Sequence, residues 1–464
     1  MQKIVFLENR DKTLFWRALA PSLSTFGYES LFIVQNHAYG RQTSSHFNIP
    51  YPSQQEMDKA SPVLLDKVAV SDRNILYFGG NARHYGYYAR LLYDFLESVR
   101  PVAVIGECTL FHELIAVECC RALHIPFLHP TATRYPNGHF SVYAMDSSEA
   151  ICGSSEVPDD DTLAAMVSAI GQRRTKPSYM ERRPSLTEIK FRLRQGRERA
   201  RVYGAWIRGE RFNTPSLTKK LELDASVGKN RRRWEALAAT RRGAHVAPVL
   251  YPLQMEPESN LNVWGRPWGN QSGLLRRLLD AMPDVAITVK LNPKAKYELN
   301  DQLLDLVDRE SRLVPLPAET TMSDALKGIR MVTTVTGTIG FEAIFSGIPS
   351  ASLGHPIVHQ KFPEFAVRNV SEISRSSAFA GRQQAPSTLA RVDLLRAFFS
   401  ESYAGLISDP VTDPECTESS NTEKVSRALI DVLSRISADE ALANRIVRAT
   451  PENITNGMAM PPLR

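Results

Sequence analysis

The residues best suited to chemistry stand directly after apolar runs. In Val335-Thr-Gly-Thr-Ile-Gly-Phe-Glu-Ala-Ile-Phe-Ser-Gly-Ile-Pro349, the hydroxyls of Thr336 and Thr338 alternate with Gly337 and Gly340. Such a loop can offer backbone N–H groups and hydroxyls to a phosphate, or it can be a tight glycine turn between a strand and a helix. It is not the nucleotide motif in which four residues separate a glycine from Gly-Lys-Ser/Thr. Glu342 can accept hydrogen bonds from a ribose or a base, or complement a helix dipole with no ligand at all. Upstream, Ile287-Thr-Val-Lys-Leu-Asn-Pro293 places Lys290 and Asn292 at a strand exit. A lysine there can neutralise a phosphate, and an asparagine can hydrogen-bond a phosphate oxygen or a base. Tyr251-Pro-Leu-Gln-Met-Glu-Pro-Glu-Ser-Asn260 presents Gln254, Glu256 and Glu258, a set able to move protons, orient sugar hydroxyls, bind a cation or simply face solvent. Asn270-Gln-Ser272 can cap the helix that follows and line a nucleotide site.

In the first half, Gly106-Glu-Cys-Thr-Leu-Phe-His-Glu113 puts Glu107 at another strand exit, with His112 and Glu113 inside the next helix. Histidines at metal-binding helical spacing are absent here. A carboxylate such as Glu107 can take a proton from a sugar hydroxyl, receive a glycosyl group, or cap the helix; His112 can assist it or serve as a hydrogen-bonded interior group. The following His129-Pro-Thr-Ala-Thr-Arg-Tyr-Pro-Asn-Gly-His-Phe140 has the composition of an acceptor loop or an ordinary surface crossover.

Two trains of alternating strand and helix patterns position these groups. The first comprises strands at Lys3 to Glu8, Ser30 to Gln35, Asn74 to Phe78, Val102 to Gly106 and Ile125 to Leu128, with helices at Asp11 to Leu23, Tyr85 to Ser98 and Leu110 to Leu123. Tyr39 to Leu65 is polar and turn-rich, as a surface loop is. The second train starts at Ala247 to Pro252 and alternates strands at Val285 to Leu291, Leu313 to Leu316, Met331 to Val335 and Ser350 to Leu353 with helices at Ser272 to Ala281, Glu298 to Val307 and Met322 to Ile329. Helical patterns at Val392 to Phe399 and Thr422 to Leu433 close the chain before a tail, Pro451 to Arg464, with little to pack. The alternation predicts α/β domains with parallel sheets, whose ligands belong at the carboxyl ends of the strands.

A chain of 464 residues with 43% hydrophobic composition exceeds what one core usually holds. No apolar run reaches a membrane span or a signal-peptide core, so a cytoplasmic protein is expected, peripheral on the inner membrane at most. Five scattered cysteines argue against a disulfide framework or a structural zinc site. The net charge of +6 is uneven: Arg173 to Arg242 carries 21 lysines and arginines against 7 acids, including Arg192, Arg194, Arg197, Arg199, Arg201 and Arg231 to Arg233. That stretch is a solvated helical face or a surface for an anionic membrane or acidic polymer. No recognised nucleic-acid module accompanies it, so no specific nucleic-acid partner is expected.

Taken in order, Glu107 with His112-Glu113, Pro252-Leu-Gln-Met-Glu-Pro-Glu258, Lys290-Leu-Asn-Pro293 and Thr336-Gly-Thr-Ile-Gly-Phe-Glu-Ala343 resemble the bacterial capsule polysaccharide biosynthesis family, which includes Kdo transferases. The resemblance implies a GT-B-like fold, two Rossmann-like domains facing a central cleft, with C-terminal helices. It implies an acceptor-side domain over 1–170, a basic and partly helical connector over 171–244, a nucleotide-sugar-binding domain over 245–385, and C-terminal helices with a flexible tail over 386–464. The implied activity is transfer of a sugar, with Kdo from CMP-Kdo a plausible donor, onto a capsule, other surface-polysaccharide or glycolipid acceptor. The alternatives are a nucleotide-sugar epimerase or hydrolase of the same shape, and a non-catalytic assembly protein. Glu107 is then the first choice for the catalytic carboxylate, with His112 second. Gln254, Glu256, Glu258, Lys290, Asn292, Thr336, Gly337, Thr338, Gly340 and Glu342 fall on the donor side. No cofactor and no metal are expected beyond the donor itself. The family commonly has histidine where this chain has Gln254 and Asn292, and an amide keeps the hydrogen bonding of an imidazole but not its charge.

Overall fold

The computed structural model describes residues 1–40, 45–60, 65–175, 196–197, 199–241, 247–362, 365–373 and 385–448. Arg192, Arg194 and Arg242 of the basic run, and the tail from Pro451, lie outside the described residues. The chain divides into two compact α/β units. The first holds Met1–Val157, the described residues from 196 to 219 and those from Leu395 onward. The second holds Pro158–Thr175 and the described residues between Lys220 and Leu394.

The first unit is built on seven strands: β1 (Gln2–Leu7), β2 (Tyr28–Val34), β3 (His46–Asn48), β4 (Ala103–Ile105), β5 (Phe127–Ala132), β6 (His139–Ala144) and β12 (Tyr403–Ala404). Their order is β12-β6-β5-β4-β1-β2-β3. The sheet from β3 to β5 is parallel, while β6 and β12 run antiparallel at its far edge. The central strands are apolar on both faces, Ala103-Val-Ile105 being wholly buried, as a sheet covered by helices on both sides requires. Phe15, Trp16 and Leu19 of helix Lys12–Thr25 share this core with Val425, Leu429 and Val432 of helix Ser419–Ala438.

The structure changes three expectations in this unit. Asn74 to Phe78 is helical (Arg73–Phe78), because the Asp72 carboxylate accepts the Asn74 N–H at 2.8 Å and Gly79, in the left-handed region at φ 75°, ends the turn. Its short apolar run could not distinguish strand from helix by period. Tyr39 to Leu65 contains the edge strand β3 and helix Gln54–Lys59, which starts with a reciprocal cap between Ser53 and Glu56. The expected loop from His129 to Phe140 is the end of β5 and a turn into β6, so His129 sits buried in a strand.

The second unit has five parallel strands, β7 (Val249–Pro252), β8 (Ile287–Lys290), β9 (Leu313–Pro315), β10 (Met331–Thr334) and β11 (Ser350–Ser352), in the order β11-β10-β7-β8-β9. Helix Gln271–Ala281 is capped by Asn270, whose side chain accepts the Gly273 N–H at 3.0 Å. Asn300 likewise accepts the Leu303 N–H at 2.9 Å and starts a helix at Asp301 instead of Glu298. That helix, Asp301–Arg309, buries Leu303, Leu304 and Val307, each burial contributing about 1.5–3 kcal/mol.

Two α/β units of this kind, followed by C-terminal helices Ser419–Ala438 and Glu440–Arg448, form a GT-B-like pair of Rossmann-like domains. Among the described residues, no helix is long and apolar enough to cross a membrane.

Candidate functional site

Each sheet has one place where the connections of two neighbouring parallel strands lead away to opposite sides, and in open α/β sheets the carboxyl ends at such a place are where ligand crevices form. In the second unit it lies between β7 and β10. The exits of these strands carry Gln254 and Thr336, and the two residues bond to each other: Gln254 Nε2 donates to Thr336 Oγ1 at 2.9 Å, and the Thr336 N–H donates to Gln254 Oε1 at 3.1 Å. The Thr336 hydroxyl in turn donates to the Asn260 carbonyl at 2.6 Å. Gln271, at the start of its helix, braces the same loop: its Oε1 accepts the Gln254 N–H at 2.8 Å, and its Nε2 donates to the Gln254 carbonyl and to Glu256 Oε1, each at 2.8 Å.

The glycine turn is tightly packed. A Cβ at Gly337 would come 2.6 Å from Thr334 Oγ1, and one at Gly340 would come 2.9 Å from Thr334 Cγ2. The N–H groups of Thr336, Gly337 and Gly340 donate to Gln254 Oε1, Thr334 Oγ1 and the Gly337 carbonyl. The open row of amides that the sequence suggested is therefore largely used within the protein, and the helix that follows, Ile339–Phe345, is only 7 residues long. Thr338 is half-buried at its start.

Anion-binding capacity at these exits resides in side chains. Lys290, the last residue of β8, is 3% exposed, and its ammonium donates to the Leu291 carbonyl at 2.9 Å. No carboxylate among the described residues lies within ion-pair distance of it. Burial, and then the nearby charge of Arg173, push its ammonium below the ordinary lysine range. Arg173, just past helix Asp160–Gly171, binds Glu342 Oε2 at 2.6 Å. Glu342 is thus held by a cation from a distant part of the sequence. Asn292 accepts the Lys294 N–H at 2.9 Å in a turn after β8, and Glu258 accepts from the Asn260 amide at 2.9 Å.

In the first unit the corresponding crevice lies between β1 and β4. Glu107, at the β4 exit, is 28% exposed and pairs with Lys12 from the β1 exit at 2.5 Å. The cap that Glu107 was a candidate for is supplied by Glu113. One of its oxygens accepts the Glu107 N–H at 2.7 Å, and the other accepts the N–H groups of Thr109 and Leu110 and the Asn9 amide. Burial pushes the Glu113 carboxyl upward, against the opposing pull of His112 and these N–H groups. His112 is fully buried: Nε2 donates to the Glu8 carbonyl at 2.8 Å, and Nδ1 faces the Asn213 amide at 3.4 Å. Both ring nitrogens are thus turned to partners within the first unit.

The sequence reading missed Lys12 and Asn9, although they stand in the polar run after β1, where strand-exit logic would have found them. It also passed over Arg173, counted only within the basic run, and Glu298, read as helical. Several cations of that run are engaged inside their units: Arg233 with Asp305 at 2.7 Å, Arg241 with the carbonyls of Asp308 and Glu310, and Arg201 with Asp11. Among the described residues, no group of three or more His, Cys, Asp or Glu side chains is placed to hold a metal ion.

No family model and no curated relative matches the chain. Solved structures of two kinds of enzyme are similar to it. KpsC of Thermosulfurimonas dismutans, a β Kdo 2,7 transferase, aligns with 93% of this chain and 99% of its own at 11% identity and TM-score 0.36. The S. aureus MnaA–UDP structure covers 94% and 97% at 12% identity and TM-score 0.30. The UDP-GlcNAc 2-epimerase of Neisseria meningitidis, bound to UDP-GlcNAc, covers 94% and 100% at 11% identity and TM-score 0.25. The distant likeness runs to both kinds and separates neither from the other.

Proposed function

We propose that this chain is an enzyme acting on a nucleotide sugar, with the donor held at the carboxyl ends of β7, β8 and β10. The observation that carries the reading is Lys290: a buried ammonium without a counter-ion among the described residues, at a strand exit beside the Arg173–Glu342 pair. Keeping a cation out of water without a partner is costly, and a phosphate supplies the missing charge. Gln254, Thr336 and Gln271 fix the loops on either side; Asn292, Thr338 and Glu258 stand at their rims, where phosphate, ribose and sugar hydroxyls need donors and acceptors. Glu342 accepts from the ribose when Arg173 turns toward the phosphate.

Within this class, the resemblance of the ordered motifs favours transfer of a sugar, with CMP-Kdo the first donor to try, onto a surface-polysaccharide or glycolipid acceptor. Glu107, oriented by Lys12, would then be the acid/base or nucleophilic carboxylate. A second reading has its own support. Glu256 and Glu298 place two carboxyls in the same unit as the donor site, where they can move protons on the donor sugar with no acceptor present, as epimerisation or hydrolysis requires. The basic residues of 173–242 are proposed to rest on an anionic membrane surface, which salt-sensitive flotation with anionic but not neutral vesicles would test.

The deciding experiment incubates the protein with CMP-Kdo and UDP-GlcNAc, each with and without defined surface-glycan acceptors, and identifies products by mass and linkage. A longer glycan means transfer, a changed monosaccharide means epimerisation, and free sugar means hydrolysis. No nucleotide binding by any donor would overturn the proposal.

A further inference from the structure

Glu298 stands in the loop between β8 and helix Asp301–Arg309 and is 1% exposed. Its Oε2 accepts two backbone N–H groups, Lys296 at 2.9 Å on its own loop and Glu256 at 3.2 Å on the β7 exit. The Tyr297 N–H returns to the Glu256 carbonyl at 3.4 Å, so the two loops are tied twice. Its Oε1 is buried with no hydrogen-bond partner. The carboxylate of Glu256, itself buried, is held from the other side by Gln271.

The cations of the neighbouring elements whose partners are described are engaged elsewhere. Lys290 on β8 turns to the Leu291 carbonyl, Arg173 is taken by Glu342, and Arg233 is taken by Asp305 of the next helix. Glu258 on the β7 exit binds Asn260, and Glu256 is the nearby charge that acts on Glu298. A carboxyl kept out of water beside another acid does not ionise readily, and the Glu298 oxygen that receives no donor is where its proton belongs.

We infer that Glu298 is the positioning residue of the donor-side site: one oxygen of its carboxyl clamps the β8 exit onto the backbone of Glu256, and the other, buried without a donor, carries a proton. Resting on the nucleotide-sugar reading, this leaves Glu256 to meet the sugar and gives Glu298 the placing of its backbone. Burial, and to a lesser degree Glu256, raise the Glu298 carboxyl to about 7, against the pull of the backbone N–H groups. Loss of the proton near neutral pH leaves a buried negative charge behind Glu256, favoured by the backbone N–H groups but disfavoured by burial and by Glu256.

The test compares the wild type with Glu298→Gln, which keeps the acceptor and puts an N–H where the acid proton would be. Infrared difference spectra across the range around pH 7 should show a protonated-carboxyl band that disappears with rising pH in the wild type and is absent from the variant. The stability of the wild type relative to Glu298→Gln should fall as pH rises from the ordinary carboxylate range through about 7 and then level, because the native wild type holds a proton that the unfolded chain releases, whereas the histidine contributions are common to both proteins and cancel. Nucleotide release from UDP-GlcNAc or CMP-Kdo should decline by about tenfold on the alkaline side in the wild type, with a flatter profile in Glu298→Gln and a loss at all pH values in Glu298→Ala. Identical infrared and stability profiles in wild type and Gln variant would overturn the inference. If neither donor turns over but the spectral and stability differences appear, the nucleotide-sugar reading fails while the proton assignment stands. Should the Gln variant not fold, Glu298→Ala takes its place in the infrared comparison, and a wild-type band that is fully retained in that variant overturns the inference.

Discussion

Gln254 and Thr336 clasp each other where the second sheet changes direction, the amide giving one hydrogen bond and taking another across 82 residues of sequence. Both partners are buried, so removing one strands the other's polar groups. Gln254→Leu is expected to lower stability by about 1–3 kcal/mol in urea unfolding. Thr336→Val should cost less, because the backbone N–H that Gln254 accepts survives. A double-mutant cycle should show that the two changes are not additive. Additive losses would mean that the pair is not a unit.

Lys290→Met tests the donor site from the opposite direction. It removes a buried charge while keeping most of the stem's apolar bulk, so the unliganded protein should be as stable as the wild type or more so. Nucleotide affinity measured by calorimetry should fall by about 10- to 100-fold, the worth of a hydrogen bond to a charged group. Unchanged affinity would remove Lys290 from the site.

For the first unit, Glu107→Gln keeps the shape of a side chain whose contact is the ammonium of Lys12 at 2.5 Å. If this carboxylate takes part in the chemistry, turnover should drop by about 10²-fold or more while nucleotide affinity and unfolding midpoint stay near wild type. Lys12→Met should lower turnover in the same direction through lost orientation of Glu107. Full activity in Glu107→Gln would shift the chemistry to the carboxyls of the second unit.

These contrasts also mark how far sequence reading reached. Buried strands such as Ala103-Val-Ile105 and the apolar start of Met331–Thr334 are visible as short runs, and the residues after them include Glu107, Gln254, Lys290 and Thr336. Partnerships are what local spacing cannot provide. Arg173 meets Glu342 over 169 residues, and nothing in either stretch announces the other. His112 and Glu113 are adjacent in sequence, yet the fold buries both and gives them separate partners. Glu298 was hidden by an apolar pattern that runs into a helix, because the cap falls two residues later at Asn300.

A last prediction concerns His84, which is fully buried with its ring stacked on Phe212 at 3.7 Å and the edges of Tyr85 and Phe111 against it. Burial is the main cause that pushes its imidazole down to about 3. The unfolded chain takes up this proton near pH 6.5, whereas the native state refuses it until about 3, so native stability is full above that upper value and declines as pH falls through the window. Phenylalanine fits a stack of aromatic rings and has no proton to take up. His84→Phe should therefore gain stability relative to wild type as pH falls from about 7 to about 5, by about 2 kcal/mol. His129, buried in the same unit and pushed down to about 4, keeps part of the acid sensitivity in the variant. Urea unfolding at the two pH values measures the difference; parallel losses in both proteins would show that His84 is not held neutral by the fold.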